Sequence, residues 1–314
     1  MKHRHPRLYR LWRIALWVFP VLVLALLARA ARTLDWGQVR EALIQYDSVT
    51  LLLAGVLTTA SYLVYSLYDV AARSYAHHGV HVRRVMLIAV IAYAFALNIG
   101  ALIGGAGARF RMYARQGLGV ATISRIVAFS ASSNWLGYLL LAGALFASGS
   151  ISMPPRWATA ANLAQGLGVA MIAVALAYLF ACHRLHDHVY HVRRHHFRLP
   201  SLRLALVQFA LSMVNWSLMA TIIFVLLPAP ADFPTVLGAC LFAAVATALV
   251  HVPAGLGVLE AVFVAAFAQR IPAPQVLAAL LTYRAVYYLA PLGVAVVLYL
   301  VFETGRRQVV ASHA

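Results

Sequence analysis

The chain has 314 residues, 63% of them hydrophobic and 11% charged, with a mean hydropathy of +0.83. Those values exclude a soluble domain, and apolar runs recurring from end to end mark a polytopic membrane protein. The net charge of +17 would point to nucleic acid in a soluble chain. Here the basic residues lie between apolar runs, where they set topology and contact anionic membrane lipids, so no nucleic acid partner is expected.

Residues 1–13 form a basic tail with Lys2, Arg4, Arg7, Arg10 and Arg13, expected in the cytoplasm. Apolar segments follow near 14–31, 49–68, 85–108, 124–147, 162–182, 203–227, 234–270 and 276–302. The first reads as a retained signal anchor, because Arg29 and Arg32 fit poorly with cleavage at Ala28-Arg29-Ala30. A short tail, 303–314, ends the chain, and 1–314 reads as a single integral membrane domain. Cys182 and Cys240 fall inside apolar runs and read as small core residues.

Were all eight segments to cross, 11 basic residues would fall on one side and 13 on the other, which is no bias. If segments 85–108 and 234–270 instead return to the side they entered, the count becomes 19 inside against 5 outside. Both segments contain Gly-x-Gly within an apolar run: Gly105-Ala106-Gly107 and Gly255-Leu256-Gly257. Glycine permits tight turns, Pro253 cannot continue a helix, and irregular backbone at membrane depth must be buried by protein or reached by water. The expected fold is therefore an all-α polytopic membrane protein with six full spans and two re-entrant hairpins. The order span, hairpin, span occurs twice and in opposite senses, an inverted-topology repeat of the kind found in transporters.

Glu260 is expected to be the only carboxylate deep in an apolar segment, with Arg284 in the last span as its partner. An ionisable group there marks a functional site or a structural ion pair joining two helices. Arg109, Arg111 and Arg115 follow the first hairpin; Arg109, nearest the tip, is a candidate phosphate ligand beside the glycine-rich backbone of Gly104, Gly105 and Gly107. Asn134 and Asn215, each followed by Trp, lie midspan and either line a polar interior or bond helix to helix. Tyr283 and His251 are further candidates for lining the site.

The loop HRLHDHVYHVRRHH at 183–196 contains only Asp187 as an acid and lacks regular ligand spacing. It reads as a solvated, lipid-contacting or pH-sensitive face, and no metal or other cofactor is expected. Ser130, Ser132 and Ser133 lie in a span without an evident base, so nucleophilic catalysis has little support. GGAGAR lacks the preceding strand that a dinucleotide site requires.

GGAGARFRMYARQG, HVPAGLGVLEAVF and LTYRAVYYLAPLG together resemble the lysylphosphatidylglycerol synthase transmembrane-region family, over about 45–302. The matching positions are Gly104, Gly105, Arg109, Pro253, Gly255, Gly257, Glu260, Tyr283, Arg284 and Pro291; Ala254 stands where the family often has glycine, and leaves less backbone freedom there. Larger members of that family join this region to further spans and a soluble aminoacyl-transferase domain, which is not expected in this chain. The resemblance therefore implies the flippase-like part alone. The expected function is translocation of a phospholipid or lipid-linked headgroup in the bacterial inner membrane. The alternatives are an integral-membrane transferase acting on a lipid carrier, with Glu260 or His251 as base, and a non-catalytic partner of an envelope lipid-biosynthesis enzyme.

Overall fold

The computed structural model describes residues 37, 40, 41, 44–149, 158–185, 189–192, 195–250 and 255–304. The expected first span at 14–31, the basic N-terminal tail, the last ten residues, His251, Pro253 and Ala254 lie outside the described residues.

Among the described residues the elements are α1 (Ser48–Ala76), α2 (Val82–Ile99), a π-helical turn (Ala101–Ala106) and α3 (Gly107–Ala114). Then come α4 (Val120–Ala147), α5 (Ala158–Leu185), a β-ribbon, α6 (Leu202–Leu226), α7 (Phe233–Val250) and α8 (Val258–Phe267). Last is one long helix made of α9 (Ala273–Arg284), a second π turn (Ala285–Leu289) and α10 (Ala290–Thr304). Six helical stretches among the described residues are long and apolar enough to cross a membrane, and α2 is one of them.

Local chemistry sets the boundaries. Asp47 caps α1 by accepting from the Thr50 N–H at 2.9 Å, and His77 ends it in the left-handed conformation. Ser201 caps α6 through the Leu204 N–H. The second π turn has a sequence cause. Pro291 offers no N–H to the Tyr287 carbonyl four residues earlier, and its ring crowds that group. The freed Tyr287 carbonyl takes the Tyr62 hydroxyl from α1 instead, at 3.1 Å.

Hydrogen bonds between loops distant in sequence assign the helix ends to two sides. On the first side, Tyr75 near the end of α1 donates to the Arg198 carbonyl just before α6, at 2.7 Å. There too, Arg84 at the start of α2 donates to Gln116, just past α3, at 3.2 Å. On the second side, Tyr46 before α1 donates to the Leu226 carbonyl at 2.6 Å, and Arg270 after α8 pairs with Asp232 before α7 at 2.6 Å. So α2–α3 leaves the first side and returns to it, while α7–α8 leaves the second side and returns to that one. Helices α1 and α6 run antiparallel against each other. The two span–hairpin–span units are thus inverted copies in arrangement, as the segment order and charge count predict.

Two details differ from the sequence reading. The His-rich loop forms a two-stranded antiparallel ribbon, Val189–Val192 with His195–Arg198, Val189 opposite Arg198. The first hairpin does not turn at its Gly-x-Gly. It turns at Gly100, with φ +105°, and Gly107 is already helical at φ −57°. In the second hairpin Gly255 and Gly257 do occupy the left-handed region, at φ +60° and +80°.

This arrangement has a direct test. Cys182 and Cys240 are both buried and unbridged. With both replaced by alanine, single cysteines at Leu118 and Val189 will react with an impermeant thiol reagent from one face of the membrane. A cysteine at Gln269 will react only from the other. Labelling of 118 and 269 from the same face would refute the paired hairpins.

Candidate functional site

Each hairpin returns through a short helix, and the third residue of that helix is ionisable in both: Arg109 in α3 and Glu260 in α8. Each meets a partner of opposite sign on a neighbouring span. The signs are exchanged between the repeats: the first return helix carries the cation and the second carries the anion.

Glu260 and Arg284 pair as expected. Arg284 Nε donates to Oε1 at 2.6 Å, and one terminal nitrogen donates to Oε2 and to the Gly255 carbonyl, both at 3.1 Å. Glu260 also accepts from the Gly257 N–H at 2.8 Å, closing the first turn of α8. The guanidinium lies 5.4 Å from the Tyr288 ring centre. One carboxylate therefore holds the hairpin backbone and the last span together.

The expectation that Glu260 is the only deep carboxylate is wrong. Asp69 is 0% exposed on α1 and takes a forked contact from Arg109, with Nε 3.0 and 3.2 Å from its two oxygens and NH2 at 2.9 Å. Tyr113 donates to one of its oxygens at 3.0 Å and Ser130 to the other at 2.7 Å. The apolar segment ending at residue 68 hid Asp69. The helix continues two turns further, to Ala76, because the capping loop begins only at His77. Arg109 is likewise not at the surface after the hairpin but inside it, 4% exposed.

The pairs differ in access. Side-chain exposures are 5% and 0% for Arg109 and Asp69, against 9% and 18% for Arg284 and Glu260. Beside the first pair, burial with Arg73 alongside holds the His78 imidazole below its usual range, against the pull of Asp69.

A tyrosine layer separates the pairs. Tyr65 lies under Arg109 and stacks on Tyr93 with centroids 3.6 Å apart. The Tyr93 and Tyr287 hydroxyls are 2.8 Å apart, and Tyr287 is 2.7 Å from Ser61, which donates to Asn215 at 2.7 Å. Tyr283 is buried and stacks on Tyr287. Asn215 therefore binds helix to helix. Asn134 contributes its backbone carbonyl, which accepts from Ser212 at 2.8 Å and from the Trp216 indole at 3.0 Å. Both midspan asparagines act at helix crossings. Gly104 and Gly105 let the first π turn press on α2: a Cβ at Gly104 would lie 2.2 Å from the Phe95 carbonyl oxygen.

No group of three His, Cys, Asp or Glu side chains among the described residues is placed to hold a metal ion. Sequence reasoning missed Asp69, Tyr113 and the role of Ser130. The one available signal was an acid within the reach of α1 that a hydropathy window had trimmed away.

Comparison with known proteins agrees with a multi-pass membrane protein. The family described as lysylphosphatidylglycerol synthase TM region matches residues 12–295. The chain is 39% identical to the inner membrane protein YbhN of Escherichia coli K12 over 315 residues, covering 100% of this chain and 99% of that protein. It is 30% identical over 247 residues to an uncharacterised protein, slr0712, of Synechocystis sp., covering 77% of this chain and 76% of the other.

Proposed function

We propose, from the premise that this chain belongs to the lysylphosphatidylglycerol synthase transmembrane-region family, that it moves a phospholipid or lipid-linked headgroup between the leaflets of the bacterial inner membrane. The observation that carries this reading is the pair of opposed hairpins, each with one member of an arginine–carboxylate pair at the start of its return helix, the first pair buried and the second part-buried. Hairpins of inverted repeats meeting from opposite sides are the usual frame of alternating access. Desolvated charges in a membrane are costly unless paired, and they concentrate along substrate paths.

In this reading the headgroup phosphate exchanges with Glu260 on Arg284, and an ammonium group, where the lipid has one, exchanges with Arg284 on Glu260. Because Glu260 also holds the Gly257 N–H and Arg284 holds the Gly255 carbonyl, breaking the pair releases the hairpin tip. Binding and opening are then one event. The arginines of the first side, among them Arg83, Arg84, Arg111, Arg115, Arg125 and Arg203, support a cytoplasmic first side that contacts anionic lipid in this reading.

Glu260→Gln and Arg284→Ala, inserted and accumulated at normal levels, will abolish the difference in lipid leaflet distribution between cells with and without the protein. An unchanged distribution in both variants refutes translocation. New lipid species in the mass spectrum would replace it with transfer chemistry on a lipid carrier.

A further inference from the structure

We infer that Arg109, Tyr113 and Ser130 form a binding site for a phosphate oxyanion, and that the Asp69 carboxylate occupies it as an internal stand-in. The donors and the acceptor come from different elements. Arg109 and Tyr113 belong to α3 and Ser130 to α4, whereas α1 contributes Asp69. Donors on the first hairpin and the next span thus converge on one point: two guanidinium nitrogens, a phenol and a hydroxyl, all within 3.2 Å of a carboxylate oxygen. If α1 moves away, an aimed cation and two hydroxyls remain.

A phosphodiester presents two equivalent anionic oxygens, as a carboxylate does, and the planar guanidinium fork suits both. A buried arginine left without an anion is strongly unfavourable, so departure of Asp69 creates a demand that a phosphate meets. The site has an entrance of matching sign. Tyr113 lies on the last turn of α3, beside the side where Arg84 meets Gln116 and Arg73 meets the Val80 carbonyl, with Arg83, Arg111 and Arg115 near by in sequence. His78, edge-on to Tyr113 at 5.9 Å, has a buried Nε2 with no hydrogen-bond partner among the described residues, a further polar atom at this mouth.

The lipid form of the ligand rests on the translocation reading; the oxyanion site does not. The test uses the full chain in detergent and the variants Asp69→Ala and Asp69→Ala/Arg109→Ala. Melting temperature is followed against inorganic phosphate, formate and dihexanoylphosphatidylglycerol at constant ionic strength. Asp69→Ala will melt below wild type and regain about 3–5 °C with phosphate or the short-chain lipid, while wild type and the double variant stay unmoved. Rescue by inorganic phosphate assigns the site to free oxyanions as well as headgroups, and rescue by the lipid alone assigns it to headgroups; either supports the site. No rescue, equal rescue of the double variant, or rescue by formate alone overturns it. If Asp69→Ala cannot be purified, Asp69→Ser, which also vacates the carboxylate's place, is judged by the same outcomes. If phosphate rescues Asp69→Ala while leaflet distribution ignores Glu260 and Arg284, translocation fails and the anion site stands.

Discussion

Gly104→Ala will prevent accumulation of the folded protein, while Gly107→Ala, three residues along the same motif, will leave it intact. A methyl at 104 would sit 2.2 Å from the Phe95 carbonyl oxygen and 2.6 Å from its carbon, with the Ile99 Cβ at 3.0 Å. Backbone cannot rotate aside as a side chain can, so the π turn must lift off α2. That opens the first hairpin and drags Arg109 from Asp69, five residues on. The cost is about 3 kcal/mol or more, a large share of a membrane domain's stability. At Gly107 the nearest atom to a new methyl is the Leu102 carbonyl oxygen at 4.0 Å, and φ is −57°. Alanine there also gains helix propensity of up to about 1 kcal/mol. Size-exclusion profiles and melting curves of the two variants check this, and equal behaviour would show that the π turn does not pack as described.

The Asp69–Arg109 pair will show a larger coupling than the Glu260–Arg284 and Asp232–Arg270 pairs. Arg109→Met leaves a buried carboxylate with Tyr113 and Ser130 but no countercharge, and Asp69→Leu leaves a buried guanidinium over Tyr65. Each single change is expected to cost about 3–5 kcal/mol. The double change removes both charges together and will be less damaging than either alone, a non-additivity that a double-mutant cycle measures. The Glu260–Arg284 cycle will give a smaller coupling, because its carboxylate is 18% exposed and water softens the loss. Additive single effects at Asp69 and Arg109 would mean that the pair contributes no joint stabilisation.

Composition and charge order alone were enough for the class of protein and for the span–hairpin–span order seen among the described residues. These properties follow from solvent. A backbone in hydrocarbon must be helical or sheltered, and arginines in loops favour one side, whatever the packing. The Glu260–Arg284 pairing was legible for the same reason: charges so deep in apolar runs need each other, and the Pro-x-Gly-x-Gly-x-x-Glu spacing puts the acid just past the tip.

Tertiary structure decided what hydropathy averages away. Asp69 disappeared at the edge of an apolar window, and only the α1–α3–α4 contact shows it as the acceptor of Arg109, Tyr113 and Ser130. The two Gly-x-Gly motifs look alike in sequence, yet only the second is left-handed. In the first, Gly100 turns the chain and Gly104 admits a neighbouring helix, because close approach between helices is a property of two segments and not of one. The exchanged signs of Arg109 and Glu260 at the same helical position also required structure. Equivalence of position is set by where each return helix begins, and a chain read in one dimension does not mark that point.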